Sequence, residues 1–138
     1  MLRIIADSTC DISKEDARKM GIQIVPISVR FGDEEFLDGV EITHEEFYTR
    51  LAECDELPKT SQPSPDTFMK VFNESVAAGD NVLRIFISSD LSGTYQSACL
   101  AALDVEEETG KKLYMVDSRS ASIGTALLIR EAVKLRDA

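Results

Sequence analysis

Two segments of this chain combine hydroxyl side chains with the start of a helix, an arrangement that can hold a small anion without any basic residue. One is Ser92-Gly93-Thr94, closing the run Ser88-Ser89-Asp90-Leu91. Ser92 is read as opening a helix, and Gly93 lets a ligand approach the backbone closely. First-turn N–H groups lack intrahelical acceptors and lie at the positive end of the helix dipole. A carboxylate or phosphate there takes a hydroxyl from Ser92 and N–H groups from the helix start. The other segment is Lys59-Thr60-Ser61-Gln62-Pro63-Ser64-Pro65. Two prolines stiffen it, which lowers the entropy lost when a loop of donors grips a ligand. Each segment also has a simpler reading, Ser92 as a plain N-cap and 59–65 as a capped loop-to-helix junction.

Other chemistries have less to stand on. Asp7, Asp11, Asp90 and Asp117 follow predicted strands and could converge on Mg²⁺ for phosphoryl transfer. Asp7 and Asp11 lack the D-x-D spacing of an aspartyl-phosphate phosphatase, and caps and turns account for all four. The single histidine, His44, sits just inside a capped helix and reads as a first-turn surface residue. No G-x-S-x-G elbow is present, which argues against acyl transfer. No glycine-rich dinucleotide or P-loop pattern occurs either. Cys10, Cys54 and Cys99 are odd in number and lack C-x-x-C spacing. They suggest neither a disulfide framework nor a zinc site, and read as free thiols of a reducing compartment. No metal and no cofactor is expected.

The elements that must position these residues alternate. Residues 2–6 read as a buried strand bounded by Asp7-Ser8-Thr9, and Ser13-x-x-Asp16 to Gly21 as a short helix with Ile12, Ala17 and Met20 inward. Ile22 to Arg30 is a second strand, and Pro26, lacking an N–H, puts it at a sheet edge or bulge. Residues 31–36 form a tight hairpin. Thr43-x-x-Glu46 is a capping box that opens a helix with Phe47, Tyr48 and Leu51 on one face. Residues 57–64 are a loop. Ser64 caps a helix with Pro65 at its first position and Phe68, Val71, Phe72 and Val76 inward. A strand over 82–87 and a helix capped by Ser92 follow, the helix with Tyr95, Ala98, Cys99 and Ala102 inward. A fourth strand covers 113–116, and a last helix runs from about Ser120 to Leu135. Such alternation implies right-handed crossovers and a mostly parallel sheet, hence a three-layer α/β/α sandwich, Rossmann-like. In the last helix Ala126-Leu127-Leu128-Ile129 circle the axis, so that turn has no fully polar side. Either it is packed between the sheet and a neighbouring helix, or its outer side docks another domain or subunit, with a homodimer through 120–135 as one form.

The chain has 138 residues, and 25 acidic against 15 basic residues give it a net charge of −10. That length suits one domain with a real core. The charge argues against nucleic acid and against an anionic membrane surface, both of which call for Lys and Arg. It leaves room for a small anion, because local donors outweigh a distant net charge. The apolar run at residues 2–6 is too short for a signal peptide or a membrane span, so a cytoplasmic protein is expected.

Taken together the segments resemble the DegV family of bacterial lipid-binding proteins. The stretches that carry this are Asp7 to Asp11, Gly21 to Pro26, Asp38-Gly39, Pro58 to Pro65, Ile87 to Ala98 and Asp117-Ser118, in the family's order along nearly the whole chain. The resemblance implies a fatty-acid-binding protein that holds one long-chain acid with its tail buried. In several members it presents the carboxylate to a fatty acid kinase, so the chain itself is expected not to be an enzyme. It implies that Thr60 and Ser92 contact the carboxylate, that Gly93 and Thr94 add backbone contacts, and that Ser61 and Gln62 shape the loop. It further implies that residues 1–138 form the family's N-terminal α/β domain. The second α/β domain, which completes the lipid pocket, is expected to lie outside this sequence, and the apolar helix at 120–135 to face it. The alternatives kept open are a Mg²⁺-dependent phosphoryl-transfer enzyme using Asp7 and Asp117, and an interaction module that dimerises through 120–135.

Overall fold

Short apolar runs and capped amphipathic segments follow one another along the chain, and a computed structural model describing Met1 to Ala138 shows how they assemble. The order is β1 (Leu2–Asp7), α1 (Lys14–Met20), β2 (Ile22–Val25), β3 (Ser28–Phe31), β4 (Glu34–Leu37), α2 (His44–Glu53), β5 (Lys59–Ser61), α3 (Pro65–Ala77), β6 (Asn81–Phe86), α4 (Thr94–Thr109), β7 (Leu113–Asp117) and α5 (Ile123–Asp137). Ser8–Cys10 make one 3-10 turn after β1.

A four-stranded parallel sheet in the order β2-β1-β6-β7 divides the core. Strand periodicity sends Ile5, Val82 and Phe86 to one face, where α3 and α4 supply Phe68, Phe72, Ala98, Ala101 and Val105. Ile4, Ala6 and Ile85 go to the other, against Ala17 of α1 and Ala126, Ile129 and Val133 of α5. Phe68, Phe72, Phe86, Ile4, Ile5 and Ile129 are fully buried, each contributing about 1.5–3 kcal/mol of transfer free energy. The three-layer α/β/α sandwich with a parallel sheet is thus the observed architecture. No helix is long and apolar enough to cross a membrane.

Several caps lie where their sequence patterns put them. Ser13 accepts the Asp16 N–H, Gly21 closes α1 at φ +60°, Thr43 and Glu46 form a complete capping box, and Ser64 caps α3 with Pro65 in its first turn.

Other expectations need correction. The strand read over 22–30 is two strands: β2 is the edge of the parallel sheet, while β3 leaves it for a second, antiparallel sheet in the order β4-β3-β5. Pro26 lies at the break, and the next N–H, of Ile27, is satisfied by the Ser8 hydroxyl at 3.0 Å instead of a ladder partner. Residues 59–61 are not loop. They form β5, with Val29 opposite Thr60. Gly93, not Ser92, occupies the N-cap of α4 and provides no side-chain cap. Tyr95 and Cys99 are only half-buried, and Thr94, Ser97, Ala101 and Val105 fill the inner side of α4 instead. Tyr48 is 66% exposed rather than inward. The last helix begins at Ile123, and no neighbouring helix covers its outer side, where Ile123, Leu127, Leu128 and Leu135 are exposed.

Candidate functional site

The loops at the carboxyl ends of β1, β6 and β7 are tied together by their own polar residues. Asp7 is fully buried; its carboxylate accepts the N–H groups of Thr9 and Ile87, both at 2.9 Å, and the Thr9 hydroxyl. Asp117 accepts the Ser89 hydroxyl at 2.6 Å and the N–H groups of Ser89 and Arg119 at 3.2 and 3.0 Å. The Ser89 hydroxyl, helped by the Arg119 N–H, holds the Asp117 carboxyl below the usual carboxylate range. Asp11 accepts the Ser122 hydroxyl at 2.6 Å, and Ser122 N–H bonds the Thr9 carbonyl at 3.0 Å. These contacts hold Asp11, Arg119 and Ser122 at φ values of 54°, 50° and 51°, a region that costs non-glycine residues energy. Asp7, Asp11 and Asp117 are therefore occupied in joining loops, whereas the Asp90 side chain is exposed and accepts none of these bonds. No three His, Cys, Asp or Glu side chains converge on one point, and the Asp7 and Asp117 carboxylates both already accept donors from the loops.

The second sheet builds a different space beside these loops. Pairing with β3 places Thr60 next to Val29. The two residues open on a cavity of about 440 Å³ that Ile27, Phe47 and Tyr48 continue as an apolar wall. Its polar rim carries Thr9, Asp11, Asp38, His44 and Ser122. The loop after β4 fixes Asp38 through its N–H to the Ile27 carbonyl at 2.9 Å. Burial pushes the Asp38 carboxyl above its ordinary range, with the Ser8 hydroxyl and His44 pulling the other way.

The two hydroxyl motifs touch without sharing this cavity. Thr60 lines it; Ser92, Gly93 and Thr94 do not. They lie behind the loop that follows β5, which is exposed at Ser61 and Gln62. The Gln62 amide presses on Gly93 so closely that a Cβ there would stand 2.0 Å from Gln62 Oε1. The Ser97 hydroxyl, one turn into α4, donates to the buried Pro63 carbonyl at 2.7 Å. Ser92 Oγ accepts the Thr94 N–H at 3.2 Å and lies 3.0 Å from the Thr94 hydroxyl, which is fully buried. The N–H groups of Tyr95 and Gln96 find no acceptor within the chain, so the first turn of α4 keeps donors for an anion. Asp38, Thr9, Ser122 and the aromatic wall were not among the candidates read from sequence. The Asp7 to Asp11 stretch, which holds Thr9, and the pair Asp38-Gly39 pointed toward two of them, and His44 borders the cavity although it reads as an ordinary surface residue.

Comparison with known proteins bears on this geometry. The family model described as "Uncharacterised protein, DegV family" matches residues 1–138. A DegV domain-containing protein of Clostridium perfringens is 41% identical over 134 residues, covering 97% of this chain and 47% of its own length. A stearic-acid-binding protein of Eubacterium ventriosum superposes with a TM-score of 0.93 at 38% identity, over 99% of this chain and 48% of the other. A DegV family protein of Thermus thermophilus, described by its fatty acid binding, gives 0.85 at 34% identity, over 99% and 47%. The fatty acid kinase B3 protein of Streptococcus pneumoniae, loaded with linoleic acid, gives 0.81 at 26% identity, over 99% and 48%. The chain thus spans about half the length of the proteins it matches.

Proposed function

This chain belongs to the DegV family, and on that premise we propose that it binds a long-chain fatty acid, with Thr60 and the start of α4 at the carboxylate and the apolar wall of the Thr60 cavity along the acyl chain. The observation that carries this reading is the placement of Thr60, a hydroxyl at the mouth of a cavity backed by Ile27, Val29 and Phe47. It is joined through Gln62 to a helix start with free N–H groups. The fatty acids bound by the structural relatives support it. The tail supplies most of the affinity, at about 0.8 kcal/mol per buried CH₂, and the hydroxyls set the position of the head group. Ser61 and Gln62 shape the loop, and Gly93 and Thr94 present the end of α4.

In this reading the chain is a binding subunit, not an enzyme, and the kinase B3 relative suggests that a fatty acid kinase receives the ligand. Residues 1–138 supply one wall of the pocket, and a second α/β unit covers the acyl chain and the outer side of α5. A homodimer through α5 is the competing use of that side. Three free cysteines suit work in the cytoplasm.

The test is fatty acid titration of the Thr60→Ala/Ser92→Ala double variant. Each lost hydrogen bond is worth about 0.5–1.5 kcal/mol, so the two together lower affinity by about 5- to 150-fold while the fold is kept. Unchanged affinity removes the site assignment.

A further inference from the structure

The net charge of this chain is not spread evenly over its surface. Between Asp33 and Glu56 lie ten acidic residues and one basic residue, Arg50, so this segment carries −9 of the total −10. The rest is nearly balanced, with 15 acidic against 14 basic residues. The segment runs through β4, α2 and the turn after α2. Apart from the half-buried Asp38, its acidic residues are exposed. Arg50 answers one of them, Glu34, at 2.9 Å, and Arg30 of β3 lies 3.6 Å from Glu35.

Helix α2 stands in the middle of this segment and contains no fully buried residue. Its inner side rests on the small sheet through Phe47, whose ring lies 5.6 Å from that of Phe31, and through Arg50, whose guanidinium lies 4.7 Å from the Phe36 ring. Its outer side is open. Glu45, Tyr48, Thr49 and Ala52, at i, i+3, i+4 and i+7, make one exposed stripe. An exposed aromatic ring with a charged rim is how protein–protein contacts are built. The charge decides what covers this stripe. No three of the acids converge on one point, so a single metal ion does not answer them. A second copy of this chain brings the same −9 and is repelled, as are anionic lipid and nucleic acid. The occupant that fits is a protein face rich in lysine and arginine. His44 and Tyr48 also border the Thr60 cavity, so a partner seated on α2 stands beside the proposed ligand.

We propose that the outer stripe of α2, with the acidic residues around it, docks a Lys/Arg-rich face of a partner protein, and that this partner is the kinase that receives the acyl carboxylate. The docking face stands on charge and exposure; the identity of the partner rests on the fatty-acid reading. Opposite charges speed the encounter and fix its orientation, and like charges keep wrong partners off. Labour is thus divided: hydroxyls and a helix end take the ligand, and the acidic segment selects the protein that collects it.

The experiment is biolayer interferometry of this chain with the fatty acid kinase of the same organism, without fatty acid, at low and at physiological salt. The expected result is binding whose association rate falls as salt rises. Glu45→Lys/Glu53→Lys/Glu56→Lys lowers the affinity about tenfold or more. Asp104→Lys/Glu107→Lys/Glu108→Lys, the same change of charge on exposed positions of α4, leaves it nearly unchanged. No binding of the kinase, equal loss in the two variants, or no loss in the first overturns the docking face. Titration of the same wild-type sample with oleate judges the fatty-acid reading separately: oleate binding without kinase binding removes the docking face alone, and kinase binding without oleate binding removes the reading alone. Should the first variant fail to fold by circular dichroism, carbodiimide cross-linking of the wild-type pair decides. Links from Glu45, Glu53 or Glu56 to kinase lysines support the proposal, and links confined to acidic residues outside 33–56, or none, sink it.

Discussion

Cys10 shows how far burial alone moves a single group. It is 1% exposed, packed among Ile4, Ala6 and Ile12. Burial, with the charges of Asp7 and Asp11 adding to it, pushes the thiol from 9.0 to about 11. The folded state therefore keeps a proton that the unfolded chain releases, and in that window stability falls as pH rises. The expected outcome in urea denaturation is an unfolding free energy that declines as pH rises from about 9 toward 11. In Cys10→Ala this part of the decline is lost, which separates it from tyrosine and lysine titration. The same burial keeps the thiolate away from reagents at neutral pH. The residues that bear on function differ in kind. In the proposed function Thr60 and Ser92 count for what they donate to a ligand, whereas Cys10 counts only for its burial.

At the scale of elements, one buried hydrogen bond couples the two hydroxyl motifs. Ser97 of α4 donates to the Pro63 carbonyl, between β5 and α3. Ser97→Ala leaves that buried acceptor without a partner, at a cost of about 1–3 kcal/mol. Chemical denaturation is expected to show this loss, together with weaker fatty acid binding because the Thr60 loop is no longer held to α4. If stability drops while affinity is unchanged, the bond serves the fold alone. Elements whose signals are local were legible in the sequence: the Ser13, Thr43 and Ser64 caps, the Gly21 stop, Pro65 at a helix start and the alternation that gives the parallel sheet. Elements whose signals are distant were not. Lys59-Thr60-Ser61 is a short, polar, exposed strand that exists because β3 offers it an edge some thirty residues away. β3 in turn is separate because the backbone turns at Pro26, and the proline marked that place without saying where the chain goes next. Thr60 was therefore legible as a donor, while the Val29–Phe47 wall and the Asp38–His44 rim, which come from tertiary packing, were not.

At the scale of the whole molecule, both apolar cores share one sheet, and net charge is what the surface adds to binding. A protein at −10 repels a free carboxylate at long range, and salt screens this repulsion beyond a Debye length of about 8 Å at physiological ionic strength. In the proposed function, binding at Thr60 acts at contact distance within a partly buried space, where screening is weak. The two effects separate kinetically. Raising the salt concentration is expected to speed association of a monomeric fluorescent fatty acid, measured by stopped flow, and to leave its dissociation rate almost unchanged. This is opposite in sign to the salt dependence of a nucleic-acid binder, whose affinity falls as salt rises. An association rate that falls with salt would mean that a local positive field guides the acid to its site. Hydroxyls and a helix end would then not be the main attraction, and the lysines and arginines nearest β5 and α4 would be the place to look for it.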